Sequence, residues 1–184
     1  MKLPDKIVRL FNYDVSDIVA AMPDMTSPVW DANPHRQNKH NVHTQTRSII
    51  FEWIDDAWQP GQPAIVKTSD CGIPALTDAV YACAQTMNAR YRGKIIRLLL
   101  AELVPHGRIP PHQDMGSAVV LVHRLHLPVV TNPNVRFFVD GVPHYLDPGG
   151  VFEFDNTRSH AVDNASDSSR VHLMCDILPA SMVL

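Results

Sequence analysis

The sequence has few glycines, few charged residues and few cysteines. Eight glycines stand against fifteen prolines, a ratio that favours short strands joined by rigid turns over a helical bundle. Charged residues make up 19% of the chain and leave a net charge of -3. They form no block of like charge, so we expect neither a disordered tail nor a nucleic-acid partner. Cys71, Cys83 and Cys175 show no metal-type spacing, and we expect buried free thiols.

Long apolar segments are also missing. No run approaches the roughly 18 to 20 apolar residues that cross a bilayer, and the first residues contain no secretory segment. We therefore expect a cytoplasmic protein without a membrane partner. The length of 184 residues, 45% of them hydrophobic, fits a single domain with one core. The oligomeric state is left open by the sequence.

Strand patterns dominate the second half of the chain. The predicted strands there are residues 94–104, 118–130, 135–139, 141–146, 151–154 and 170–178. Asp140-Gly141 has the composition of a tight hairpin turn. Before them, apolar residues recur every three or four positions over residues 74–87, which predicts an amphipathic helix. The pattern predicts a mainly β fold, a double-stranded β-helix of the jelly-roll, cupin-like type with a few packing helices.

Within this one domain, 1–184, we expect two parts. Residues 1–93 supply N-terminal strands and the packing helix, and residues 94–178 form the jelly-roll core. The segment 30–47 holds His35, His40 and His43. No carboxylate or cysteine accompanies them in the way a structural zinc site requires, so we expect a solvated loop.

A histidine and a carboxylate stand two residues apart after the proline-rich stretch 104–111. On an extended backbone, alternate side chains share a face, so His112 and Asp114 point the same way. An imidazole and a carboxylate form part of the two-histidine, one-carboxylate site of non-haem iron oxygenases. His160, after a strand and a polar turn, is the best candidate for the second histidine. Its competitors lie inside apolar strands, where a single histidine is more often a core residue: His123, His126, His144 and His172.

Two arginines lie inside apolar strands. Arg124 shares a strand face with His126, and Arg170 shares one with His172. A charge in such a strand is costly unless it is paired, and guanidinium groups bind carboxylates through two parallel hydrogen bonds. These arginines therefore suit a dicarboxylate ligand. The alternative is that each forms a structural ion pair, with Glu102, Glu153 or Asp176 as the candidate partners.

The motifs together resemble the aspartyl/asparaginyl beta-hydroxylase family over about residues 94–178. The segments that carry the resemblance are Pro111-His112-Gln113-Asp114, Arg124-Leu125-His126-Leu127-Pro128, Gly149-Gly150-Val151-Phe152-Glu153-Phe154-Asp155-Asn156, His160-Ala161-Val162-Asp163-Asn164 and Arg170-Val171-His172-Leu173. The resemblance implies a jelly-roll dioxygenase (hydroxylase) that uses Fe(II), 2-oxoglutarate as co-substrate and dioxygen.

The same matching implies roles for six residues. His112, Asp114 and His160 would be the catalytic residues that hold the iron. Arg170 would pair with the distal carboxylate of 2-oxoglutarate, and Arg124 and His126 would support its binding. The full ligand set is that of bacterial members, since vertebrate peptide-hydroxylating members have glycine at the position of Asp114.

The bacterial members include hydroxylases of free amino acids, so we expect a small-molecule substrate, an amino acid or an amino-acid-derived natural-product precursor. Arg47 and Arg158 lie on segments that could bring an arginine to a substrate carboxylate. The alternatives are a peptidyl aspartyl/asparaginyl hydroxylase, a non-catalytic cupin-like binding module, and a metal-dependent isomerase or dioxygenase that does not use 2-oxoglutarate.

Overall fold

The computed structural model describes residues 6–39 and 41–183, and its strands form two antiparallel sheets. The strands are β1 Ile7–Asn12, β2 Thr46–Ile54, β3 Val66–Thr68, β4 Lys94–Leu103, β5 Arg108–His112, β6 His123–Val130, β7 Val135–Val139, β8 Val142–His144, β9 Gly150–Phe154, β10 His160–Asn164 and β11 Arg170–Leu178. The α-helices are α1 Ser16–Ala21, α2 His35–Lys39 and α3 Pro74–Ala89, with 3-10 turns at Pro28–Asp31, Asn41–His43 and Ala180–Met182.

The larger sheet has seven strands in the order β1-β9-β6-β11-β4-β2-β3, and the smaller has four in the order β5-β10-β7-β8. Strands from the two halves of the sequence therefore share the larger sheet, since β1, β2 and β3 precede residue 94. The two sheets face each other with helices outside. This arrangement confirms the predicted mainly β, jelly-roll fold.

Alternation along the central strands gives the larger sheet two different faces. In β11, Leu173, Cys175 and Ile177 pack in one apolar cluster with α3 residues such as Val80 and Met87. The intervening residues of β11 turn to the other face, toward the smaller sheet. The helix predicted over residues 74–87 is thus confirmed, and it covers the outer face of the sheet.

A second apolar cluster lies between the sheets. Ile109, Phe137 and Val162 of the smaller sheet pack there with Leu103 and Phe154 of the larger one. These side chains close one side of the space between the sheets. The predicted hairpin is also present, since Asp140 and Gly141 both have positive φ, 49° and 76°, as a tight β7–β8 turn requires.

Two expectations about local structure were wrong. Residues 118–122 form a turn rather than the start of a strand, with the Val120 amide donating to the Gly116 carbonyl at 3.3 Å. Ala118 packs with Ile54 and Trp58, so its apolar character reflects burial without strand pairing.

The segment 30–47 is not a solvated loop. It folds over one end of the barrel as short helical turns and buries Trp30, Arg36 and His43. The polar composition of the segment hides these few inward positions. His40 lies outside the described residues. None of the described helices is long and apolar enough to cross a membrane.

Candidate active site

Two neighbouring strands of the smaller sheet bring His112 and His160 together. Their Cα atoms are direct partners in the β5–β10 pair, and their ring centroids are 4.2 Å apart. Asp114 follows β5 by two residues. Ligand atoms of the three side chains lie within 4.8 Å of one another, and they form the one such group of three in the described part of the chain.

The hydrogen bonds of both imidazoles fix which nitrogen is free. The Nδ1 of His112 lies 2.9 Å from the Pro110 carbonyl oxygen, and the Nδ1 of His160 lies 2.9 Å from the Arg158 carbonyl oxygen. A carbonyl oxygen only accepts, so each Nδ1 carries the proton. Each Nε2 lone pair then faces the Asp114 carboxylate, at 3.8 Å and 3.9 Å.

The electrostatic environment keeps both rings neutral. Burial lowers the pKa of His112, and it lowers the pKa of His160 to about 4. Neutral imidazole is the form that binds a metal. Two imidazole nitrogens and a carboxylate on one side of a cavity fit the donor preference of ferrous iron and leave other coordination positions open.

Neighbouring donors hold the Asp114 carboxylate in place. Arg124 Nη1 donates to Asp114 Oδ2, and Asn156 Nδ2 approaches the same oxygen at 3.3 Å. The rest of the Arg124 guanidinium is engaged by Asp176, with Nε to Oδ1 at 2.7 Å and Nη2 to Oδ2 at 2.5 Å. Arg124 thus forms the ion pair that the sequence left open as an alternative, and it also contacts a predicted ligand.

Arg170 is in a different situation. It is 2% exposed, and within residues 6–39 and 41–183 it forms no ion pair with a carboxylate. Its Nη2 donates to His172 Nδ1, and its buried Nε has no hydrogen-bond partner in that part of the chain. Burial and the nearby Arg36 lower its pKa to about 9. A buried cation without a counter-ion indicates a site for an anionic ligand.

Two further buried ring nitrogens near Arg170 are also unsatisfied. Within the described chain, His126 Nε2 and His172 Nε2 are buried without hydrogen-bond partners. The pKa values of both rings lie well below the ordinary range, mainly because of burial and secondly because of Arg170. Because His172 Nδ1 accepts from Arg170, the proton of the neutral His172 ring is on Nε2. A carboxylate bound beside Arg170 is the kind of ligand that would accept from both the Arg170 guanidinium and His172 Nε2.

A cavity of about 460 Å³ lies between the sheets, and all six predicted site residues line it. They come from both sheets: His112, Asp114, His160, Arg124, His126 and Arg170. Sequence reasoning missed two further lining arginines, Arg36 and Arg97. The alternation along β4 was a signal that would have found Arg97, because it is a charged residue inside an apolar strand. Arg36 gave no such signal, since it stands in a polar segment.

The two arginines that we expected near a substrate lie elsewhere. Arg47 Nε donates to Glu102 at 2.5 Å, and Arg158 Nη1 donates to Asp140 at 2.9 Å. Neither lines the cavity. Both therefore act as ion-pair partners in the folded chain.

Most of the other histidines have identifiable surroundings. His35 Nε2 lies 3.0 Å from Asp56, and His123 Nδ1 lies 2.6 Å from Glu153. The ring of His43 meets that of His112 edge-on with centroids 5.7 Å apart, and it lines the cavity.

The sequence profile of the aspartyl/asparaginyl beta-hydroxylase family matches residues 72–179. The chain belongs to this family. The match spans α3, the central strands of the larger sheet and every predicted site residue. It confirms the family resemblance and the assignment to dioxygenases that use Fe(II), 2-oxoglutarate and dioxygen.

Solved structures agree on the fold of this family member. A Pseudomonas putida prolyl-4-hydroxylase superposes with a TM-score of 0.58 at 16% identity, covering 96% of this chain and 94% of that one. An oxidoreductase of the 2OG-Fe(II) oxygenase family from Burkholderia pseudomallei gives 0.51 at 13% identity, covering 96% and 98%. No match is found among proteins with curated functions.

Proposed function

We propose that this family member hydroxylates a C–H bond of a small molecule, an amino acid or an amino-acid-derived natural-product precursor. One observation carries the proposal. The iron-type ligand set and the buried Arg170, which has no carboxylate partner in the described chain, line the same cavity. His112, Asp114 and His160 would hold the iron, and Arg170 would bind the distal carboxylate of 2-oxoglutarate.

Iron, 2-oxoglutarate and dioxygen, when bound, supply an oxidant that converts C–H to C–OH while 2-oxoglutarate becomes succinate and carbon dioxide. The chain's own residues provide the orientation. Arg124 and Asn156 hold the Asp114 carboxylate, and the two backbone carbonyls hold the imidazoles. His126 lies on the same face of β6 as Arg124 and supports the co-substrate's binding. Phe137 and Phe154 line the cavity beside His160 and exclude water.

The size of the cavity supports a small substrate. Its volume of about 460 Å³ lies in the lower part of the range for small-molecule sites. Space of this size accommodates 2-oxoglutarate and a small second molecule. A peptide would have to reach the metal from the mouth of the cavity with a single side chain.

The test is incubation with Fe(II), 2-oxoglutarate and dioxygen in the presence of a panel of amino acids and short peptides. We expect succinate and a product that gains one oxygen by mass spectrometry, from a free amino acid rather than a peptide. Absence of succinate from iron-loaded protein across the panel would support a binding module instead.

A matched histidine pair tests the ligand set. His160→Ala should lose bound iron and succinate formation, because a ligand is removed. His106→Ala should retain both, since His106 is exposed and pairs with Asp167 outside the cavity. Stoichiometric iron in His160→Ala would refute the ligand set and turn attention to His126 and His172.

A further inference from the structure

Arg36 is a buried cation in the wall of the candidate active site. It comes from α2, within the segment that closes one end of the barrel, and it is 6% exposed. Its Nη1 donates to Thr46 Oγ1 at 3.0 Å, which anchors the guanidinium from behind. Its positive charge contributes to the lowered pKa values of His112 and Arg170. Arg36 therefore shares the cavity wall with residues of the predicted metal site and of the predicted co-substrate site.

Arg36 forms no ion pair with a carboxylate of the described chain, and Asp176, the carboxylate that raises its pKa, is bonded to Arg124. The ion pairs of the cavity belong to other arginines: Arg124 with Asp176 and Asp114, and Arg97 with Asp56. Arg97 also stacks on Trp53, with its guanidinium carbon 4.2 Å from the ring. Burial together with Arg124 and Arg97 lowers the pKa of Arg36 to about 9. An unpaired buried cation is unfavourable unless a ligand supplies the counter-ion.

The charges of the proposed ligands leave Arg36 still unpaired. In the proposed function, the distal carboxylate of 2-oxoglutarate pairs with Arg170, and the other end of the molecule would face the iron held by His112, Asp114 and His160. Asp114 and Asp176 are already shared with Arg124. One cation then remains in the cavity wall next to the metal site, where the second substrate must be placed for its C–H bond to react.

We propose that Arg36 binds a carboxylate of the molecule that is hydroxylated, so that the substrate is an acid held by this end of its structure. The inference rests on the proposed function, because it assigns 2-oxoglutarate to Arg170. It narrows the substrate to molecules that carry a free carboxylate, such as an amino acid with an unblocked carboxyl group. It also gives the segment 30–47 a role in substrate selection.

The first experiment measures binding without turnover. The protein is loaded with Mn(II) in place of iron and kept free of oxygen. The dissociation constant of 2-oxoglutarate is measured by calorimetry, and then, at saturating 2-oxoglutarate, those of L-amino acids and of the matching amino-acid amides. The variants are Arg36→Met and Arg170→Met, with Arg108→Met as the matched control because Arg108 pairs with Asp163 outside the cavity.

We expect at least one amino acid to bind, and its amide to bind tenfold or more weakly. Arg36→Met should weaken the binding of that acid by roughly tenfold or more, because one buried charge-assisted hydrogen bond is lost. The same variant should change the dissociation constant of 2-oxoglutarate by less than about twofold. Arg170→Met should instead weaken the binding of 2-oxoglutarate. Arg108→Met should change neither dissociation constant.

Three results would overturn the inference. The acids and their amides could bind equally well, or no acid could bind. The third result is a loss of 2-oxoglutarate affinity in Arg36→Met as large as the loss in Arg170→Met. The last result would make Arg36 part of the co-substrate site. Retention of 2-oxoglutarate affinity by Arg170→Met would instead refute the proposed function, so the two failures are distinguishable.

A second experiment needs no ligand. If Arg36 serves to bind a ligand, the ligand-free protein carries a buried charge without an ion-pair partner. The melting temperature of Arg36→Met should then equal that of the unsubstituted protein or exceed it by up to roughly 2 to 4 °C. If the role of Arg36 is only to bond Thr46, the same variant should melt at a lower temperature. That outcome would contradict the inference.

Discussion

Asp114 connects the predicted metal site to the ion pairs of the larger sheet. Its carboxylate faces the Nε2 atoms of both histidines and accepts hydrogen bonds from Arg124 and Asn156. Partners behind a ligand fix its orientation and commonly change metal affinity 10- to 100-fold when they are removed. Substitution of Asp114 therefore has two effects: it removes a predicted metal ligand, and it removes a hydrogen-bond acceptor of Arg124.

Asp114→Gly should lose bound iron and hydroxylation. The substitution removes a donor atom, leaves two neutral imidazoles, and places Arg124 beside the metal without a carboxylate between them. The measurement is iron content after dialysis, together with succinate formation. Gln113→Gly is the matched control, because it introduces the same backbone flexibility at an exposed neighbour. Equal iron retention by the two variants would show that the carboxylate is not a ligand.

Sequence patterns and the family resemblance together pointed to six residues that line one cavity in the structure. Alternation predicted the shared face of His112 and Asp114, and the position of His160 after a strand and a polar turn made it the best second histidine. Arginines inside apolar strands pointed to Arg124 and Arg170, and the family resemblance then assigned the roles. Arg36 could not be found in this way, because a single arginine in a polar segment looks solvated. Its burial depends on how α2 closes the barrel end, which is a long-range contact without periodicity.

Strands β6 and β11 show how elements position charges. Pairing of β6 with β11 sets Arg124 directly opposite Asp176, and both side chains turn to the inner face of the sheet. The pair is nearly inaccessible, with side chains 6% and 2% exposed. The element boundaries were predictable from apolar runs where neighbouring strands pair. They were not predictable at residues 118–122, where apolar residues pack against Trp58 without pairing.

Asp176→Asn should lower the free energy of unfolding by about 3 kcal/mol, because it removes the more buried of the two carboxylates that compensate the buried charge of Arg124. The measurement is urea unfolding of the metal-free protein. Asp163→Asn is the control, since Asp163 pairs with the exposed Arg108 and an exposed pair is worth less than about 1 kcal/mol. Equal losses in the two variants would mean that the Arg124–Asp176 pair contributes no more than an exposed one.

At the scale of the whole molecule, the space between the sheets combines buried charges with histidines that stay unprotonated. His126 and His172 are 5% and 1% exposed, and their Nδ1 atoms are 3.3 Å apart. Arg170 lies beside them, and burial together with its charge holds the pKa of each ring well below the ordinary value. The folded protein thus binds fewer protons than the unfolded chain in mildly acidic solution.

This difference in proton binding predicts how stability depends on pH. A histidine with a lowered folded pKa favours folding fully above its unfolded pKa of about 6.5, and the contribution is lost as the pH falls below that value toward the folded pKa. Each such ring adds up to about 1.4 kcal/mol per pH unit to the slope. We therefore expect the free energy of unfolding, measured in urea with a chelator present, to fall steeply below pH 6.5. In His172→Gln the slope should be smaller by one ring's share, because glutamine does not titrate. An unchanged slope in that variant would show that His172 is protonated in the folded state, and that the burial beside Arg170 does not exclude the proton.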